Sequence, residues 1–202
     1  AIVNAFIFTL LTTLATFAHF DKFHLGEQEL FITKLATWAW LAVYTLVPII
    51  FVVLWVIQER QPGGEKPSHL PLSSWIRAVL GLHAIILLPL GVLLFLSPIE
   101  VSPVWPWGLT ALTARAVAAW LVGIGAAAAL VAYENDWERA YVAAPTYIVL
   151  GGLQLIAVWR YGSEINFASP SAWVYMAVII SMLATGGLAW WEARQLESTE
   201  KL

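Results

Sequence analysis

Cysteine is absent from the 202 residues, which removes disulfides, thiolate nucleophiles and Cys-ligated zinc or iron–sulfur centres as functions. Charge is almost as scarce. Only 11% of residues are Asp, Glu, Lys or Arg, and the net charge of −3 is spread thinly, so the clustered Lys/Arg footprint of a nucleic-acid binder is missing. Acidic residues are also missing from the interiors of the long apolar stretches, where proton-coupled transport usually needs one. His, Asp and Glu nowhere recur at metal-ligand spacing on one helix; Asp21 and His24 come closest. The paired glycines 151–152 and 186–187 follow no strand, so they form no nucleotide loop. The sequence therefore predicts no enzyme, no catalytic residue and no metal site.

Apolar surface is what the chain has in abundance. Hydrophobic residues make up 60% and Trp alone contributes 12 residues, with a mean hydropathy of +0.78, far from the roughly 45–50% apolar and 25% charged of a soluble domain. This composition predicts an integral membrane protein of the all-α class. Six stretches, 2–19, 37–57, 74–96, 112–133, 139–160 and 171–191, are each long enough for a core of about 30 Å. A polytopic transmembrane helical bundle of six spans is expected. The first segment is apolar from Ala1 and has no basic n-region, so it does not read as a signal peptide; a processed N-terminus or the later part of a longer chain is expected.

Loop chemistry divides the chain. Pro62, Gly63 and Gly64 block helix and strand continuation, which gives a first helical pair over 1–60, a linker over 61–73 and a four-helix transmembrane unit over 74–202. The polar connection after Phe20 is expected to hold a short surface helix through Lys34, and Asp136 to cap the fifth span. Pro48, Pro89 and Pro145 lie inside spans, and nearby hydroxyls such as Thr45 and Thr146 are expected to serve the carbonyls that they free. The stretch 98–133 organises the rest: a Pro/Trp-rich loop with Trp105 and Trp107, then a helix whose Gly123, Gly125 and alanines offer a smooth face for close packing. Trp38, Trp40, Trp105 and Trp107 are expected at the membrane interface, where indole rings settle.

Lys and Arg near span ends set the orientation. Arg60, Lys66, Arg77, Arg139, Arg194 and Lys201 outnumber Lys22, Lys34, Arg115 and Arg160, so both termini are expected in the cytoplasm of a multi-pass protein of the inner (plasma) membrane.

His83 is the ionisable group nearest the middle of a span, and an intramembrane polar group is a functional candidate by default. Bis-histidine haem needs a second imidazole at its depth, and none is there. A (bacterio)chlorophyll magnesium needs only one, so His83 or His19 is a candidate cofactor ligand. The alternative is a neutral imidazole hydrogen-bonded to a neighbouring helix. Arg77 and Arg115 sit about one turn inside their spans, near enough to snorkel.

The stretch 105–115, Trp-Pro-Trp-Gly-Leu-Thr-Ala-Leu-Thr-Ala-Arg, with Ala118, Ala119 and Trp120 and with the segment 39–44, resembles an uncharacterised family of bacterial multi-spanning membrane proteins. The resemblance implies a polytopic bundle and carries no activity or catalytic residue. Together these readings predict a non-enzymatic accessory or structural subunit packed against lipid and membrane-protein partners. The alternatives are a transporter or channel for a small neutral or apolar solute, and a tetrapyrrole-binding subunit of an energy-converting complex. Lastly, Ala39-Trp40 and Ala172-Trp173 each open a span that Glu59 or Glu192 closes nineteen residues beyond its Trp. Spans one and two then correspond to five and six, as in a tandem four-helix parallel repeat whose first two helices precede Ala1.

Overall fold

Long uninterrupted runs of apolar residues satisfy their backbone groups within helices, and in the computed structural model seven helices follow one another: α1 (Ile2–Ala18), α2 (Phe31–Glu59), α3 (Ser74–Leu96), the one-turn α4 (Pro98–Val101), α5 (Ala111–Glu134), α6 (Trp137–Tyr161) and α7 (Pro170–Glu200). The structure describes residues 2–23, 25–26, 28–61 and 70–200, with no strand among them. Most of the expected linker 61–73 lies outside the described residues, as do His24, Lys66 and Lys201. Among the described residues four helices are long and apolar enough to cross a membrane: Phe31–Glu59, Ser74–Leu96, Ala111–Glu134 and the Pro170–Gln195 part of α7. The apolar part of α1, Val3–Ala18, is shorter, so six spans is more than helix length and composition establish.

Residue pairs fix the directions. Thr13 and Thr16 of α1 meet Tyr44 and Trp40 of α2, Phe95 and Arg77 of α3 meet Arg115 and Ala132 of α5, and Gln154 of α6 meets Tyr175 of α7. Gly186 of α7 meets Ala144 of α6, Gly123 and Arg115 of α5 meet Phe8 of α1 and His19 just after it, and Ser181 and Glu192 of α7 meet His83 of α3 and Ser73 just before it. In each pair of helices one number rises as the other falls, so α1, α3 and α6 run one way and α2, α5 and α7 the other. The central pair is α3–α5. A methyl built on Gly91 would lie 2.8 Å from Val122 Cγ2, and one on Gly125 would lie 3.1 Å from the Leu88 backbone nitrogen; only glycine lets the two backbones come this close. The opposite side of α5 receives α1, with Gly123 against Phe8. The hairpin α6–α7 closes in the same manner, since Gly186 lies against the Ala144 carbonyl and Gly151 against Leu183, whereas Gly152 and Gly187 face open space.

Local chemistry starts and stops these helices. Thr110 and Thr113 form a reciprocal capping box at the start of α5, each backbone N–H donating to the other's hydroxyl at 2.8 and 3.2 Å. At its end Asn135 takes the left-handed conformation (φ 50°, ψ 44°) and returns its N–H to Val131 O, a closing motif that Asn tolerates. Asp136 then stands at the start of α6, its carbonyl accepting from the Ala140 N–H. After α1 the chain makes one 3₁₀ turn, Phe20–Lys22. The surface helix expected through Lys34 does not form separately, because α2 already begins at Phe31 and absorbs it.

Pro48 cannot donate to the Tyr44 carbonyl four residues earlier. The Thr13 hydroxyl of α1, with one proton to give, stands against that carbonyl and within reach of Thr9 O. The expected partner Thr45 points outward, so the hydroxyl that serves the proline comes from the neighbouring helix.

Thr13→Val is expected to cost about 0.5–1.5 kcal/mol, the range of interhelical hydrogen bonds in membranes, and to cost nothing measurable in a Pro48→Ala background, where the substituted residue supplies the missing N–H. Reversible unfolding in detergent of the four proteins measures this coupling. The same assay is expected to separate adjacent glycines: Gly186→Ala destabilises by about 1–3 kcal/mol through overpacking, and Gly187→Ala is neutral or mildly stabilising.

Candidate functional site

Polar side chains inside an apolar bundle must find partners, and four groups do so at different heights. The deepest is on α3. His83 is 1% exposed, its Nδ1 lies 3.2 Å from Tyr147 Oη of α6, and its Nε2 lies 2.6 Å from Ser181 Oγ of α7. Ser181 spends its own proton on the Val178 carbonyl at 2.9 Å, so its oxygen accepts from His83 Nε2–H. Nδ1 then holds the lone pair and accepts the Tyr147 hydroxyl proton. Each proton in this chain then has one acceptor, with the imidazole neutral. The arrangement ties three helices together at one point.

The second group joins helix ends on the side of the Trp-rich loop. Arg115, in the first turn of α5, donates through Nε to the Phe95 carbonyl at 3.2 Å and through a terminal nitrogen to His19 Nε2 at 2.6 Å. Arginine only donates, so His19 accepts at Nε2 and carries its proton on Nδ1. Phe95 O is one of the last four carbonyls of α3, which have no partner inside the helix. Arg115 thereby pins the ends of α1 and α3 to the start of α5.

The third group is aromatic. Trp105 and Trp107 meet edge to face with centroids 5.2 Å apart, and both lie edge-on to Tyr175 of α7 at 6.0 and 5.2 Å. Tyr175 donates to Gln154 Oε1 at 2.7 Å, and the Pro106 carbonyl accepts from the Asn166 N–H at 2.8 Å. Trp105 also packs on the small core of Leu94, Ala114 and Ala118. The two indoles are half-buried packing residues that fasten the loop to the α6–α7 hairpin. Trp38 is exposed, and Trp40 stacks on Tyr44 while donating to the Thr16 hydroxyl at 3.1 Å.

At the opposite end of α3, Glu192 of α7 accepts from the Ser73 hydroxyl at 2.5 Å and from Trp75 Nε1 at 2.9 Å. Arg77 donates through Nε to Ala132 O at 2.9 Å. This end holds a cleft of about 510 Å³, lined by Leu72, Ser74, Arg77, Ala78 and Asn135.

The structure thus keeps the two histidines that the sequence singles out apart, each in its own network. An axial tetrapyrrole ligand needs a ring nitrogen lone pair. At His83 that lone pair takes the Tyr147 proton, and at His19 it takes one from Arg115. Tyr147 and Asn135 escape the sequence reading, although Tyr147 shares a helix face with Ala140, Ala144 and Gly151. No protein-family model, curated protein or solved structure matches the chain.

His83→Gln is expected to leave stability in detergent within about 0.5 kcal/mol, since an amide can both donate and accept. His83→Leu, which strands the Tyr147 hydroxyl, is expected to cost roughly 1–2 kcal/mol. Unfolding curves followed by tryptophan fluorescence compare the two.

Proposed function

We propose that this chain is a non-enzymatic integral membrane protein serving as an accessory or structural subunit of a larger membrane assembly. Six helices, α1–α3 and α5–α7, cross the bilayer alternately, both termini on the cytoplasmic side of the inner (plasma) membrane. The alternating helix directions are consistent with that topology. The 17 residues of α1 rise roughly 26 Å, close to the thickness of a thin bilayer's core.

The observation that supports a subunit role is α2. Its 29 residues bury only Thr37, Leu41 and Pro48, and α1 is the helix it rests on. Phe31 is 79% exposed and Trp38 60%, and the apolar residues 49, 50 and 52–57 are all exposed. Such a helix is presented to its surroundings on nearly every side, which suits lateral packing against other membrane helices. The interior does the opposite: His83, Gln154 and the threonines of α1 spend their hydrogen bonds on neighbouring helices or on their own backbone. A transport reading asks for polar groups that are free to meet a solute, and a tetrapyrrole reading asks a histidine to release a bond that joins helices.

Because the chain has no cysteine, single cysteines report cleanly. A photo-crosslinker on Val53→Cys or Ile49→Cys is expected to give a protein adduct of one defined mass in native membranes. The buried control Ala84→Cys is expected to give none. Adducts with lipid alone at both α2 positions would refute the subunit role.

A further inference from the structure

The contact between Arg115 and His19 holds in one protonation state only. The guanidinium is always charged and only donates, and its terminal nitrogen stands 2.6 Å from His19 Nε2, so the imidazole meets it with a lone pair. A second proton on the ring removes that lone pair and makes both partners positive donors. Histidine is the side chain whose charge ordinarily changes between about pH 5 and 8. His19 is half-buried just past the end of α1, whereas His83 is 1% exposed. Around the ring, α5 offers Arg115, and the last turn of α3 offers the Phe95 carbonyl, which Arg115 Nε already occupies. The end of α2 that meets α1 through Trp40 carries Lys34, with Glu29 before it, and both are already engaged. The turn itself carries Asp21 and Lys22, paired at 3.0 Å. The Asp21 carboxyl is held below its ordinary range first by Lys22 and in smaller part by His19. An exposed pair of this kind holds weakly, so Asp21 stays open to an imidazolium in its own turn.

We propose that this contact is a latch released by acid: neutral His19 fastens the end of α1 to α5, and protonation of His19 frees that end of the α1–α2 hairpin while α3 stays fastened. The asymmetry follows from the two commitments of Arg115. Its bond from Nε to Phe95 O does not depend on the charge of His19. Farther along, α1 meets α5 where Phe8 packs on Gly123 and Trp120, and that seam holds no group that titrates. Parting is therefore confined to the Arg115 end. Thr13 and Thr16 tie α2 to α1, so α2 follows, and acid alters how the partner-facing helix is presented. That regulatory consequence rests on the proposed role of α2, and the outward-facing position of the latch rests on the proposed topology; the release itself rests on neither.

Distances between spin labels in lipid nanodiscs test the latch. One pair, Phe17→Cys with Ile99→Cys, spans from the end of α1 to α4; the reference pair, Ile99→Cys with Trp173→Cys, spans from α4 to α7. Between about pH 8 and pH 5 the first pair is expected to lose at least half of its pH 8 distance population, reversibly, and the reference pair to keep its own. His19→Gln offers an amide oxygen in place of the lone pair and takes no proton, so it is expected to hold the pH 8 distance throughout. His19→Lys is charged over the whole range and is expected to show the released distance already at pH 8. Asp21→Asn removes the waiting acceptor and is expected to move the change to lower pH, and His24→Gln to respond as the unsubstituted protein does. A first-pair distance that ignores pH, a response that persists in His19→Gln, or one that vanishes in His24→Gln would overturn the proposal. An impermeant thiol reagent on Phe20→Cys in intact cells examines the compartment separately. Labelling only in opened cells would overturn the outward-facing position, a failure distinct from loss of the pH response.

Discussion

Everything in this molecule depends on how closely other helices can approach α5. In hydrocarbon, lipid tails are as apolar as leucine, so helices associate through close van der Waals contact and hydrogen bonds. Gly125 and Gly91 let α5 and α3 meet at backbone distance, and Gly123 opens the other side of α5 to Phe8 of α1. The buried alanines 114, 118, 119 and 128 extend this smooth surface along the whole helix. The capping box at Thr110 and the turn at Asn135 fix where that surface starts and stops, and so fix the height at which α1, α3 and α6 are held.

Around this post, polar groups act as locating pins. The α6–α7 hairpin is keyed to the rest at three levels: Glu192 to Ser73 and Trp75 at one end, His83 to Tyr147 and Ser181 in the middle, and Trp105 and Trp107 to Tyr175 at the other end. Between the pins the seam is filled by Ile76, Leu80, Ala84, Ala144 and Met182. Aliphatic packing tolerates sliding by a fraction of a turn, whereas a histidine that must meet a hydroxyl on each of two helices does not. The register of the hairpin is therefore set by hydrogen bonds more than by apolar contact.

The helices were legible because composition and run length suffice when every backbone group must be satisfied internally. The small-residue faces at Gly123, Gly125, Gly151 and Gly186 were legible from spacing, and His83 from its isolation. Pairing across long separations was hidden. Thr13 reaches Tyr44, 31 residues on, and Arg115 reaches His19, 96 residues back; local periodicity holds no trace of either. The Trp-Pro-Trp loop reads as an interfacial belt because indoles favour that depth, and nothing in its spacing tells that both rings also pack edge-on against Tyr175. The repeat pattern shows how little a motif says about environment. Both hairpins share one direction, and the turns after α1 and α6 share their backbone angles (His19 −126°, 33° and Tyr161 −121°, 25°). Yet Ala172 is wholly buried while Ala39 is exposed, and Glu192 bridges to Ser73 and Trp75 while Glu59 accepts from Trp55 of its own helix.

The contact between Thr13 and Tyr44 has a bearing on biogenesis. Alone in a bilayer, α2 would carry a bare carbonyl beside Pro48 in the least hydrated part of its length. With α1 already alongside, that group is met as it enters. The pairing of a backbone group in one helix is thus written into the sequence of the helix made before it.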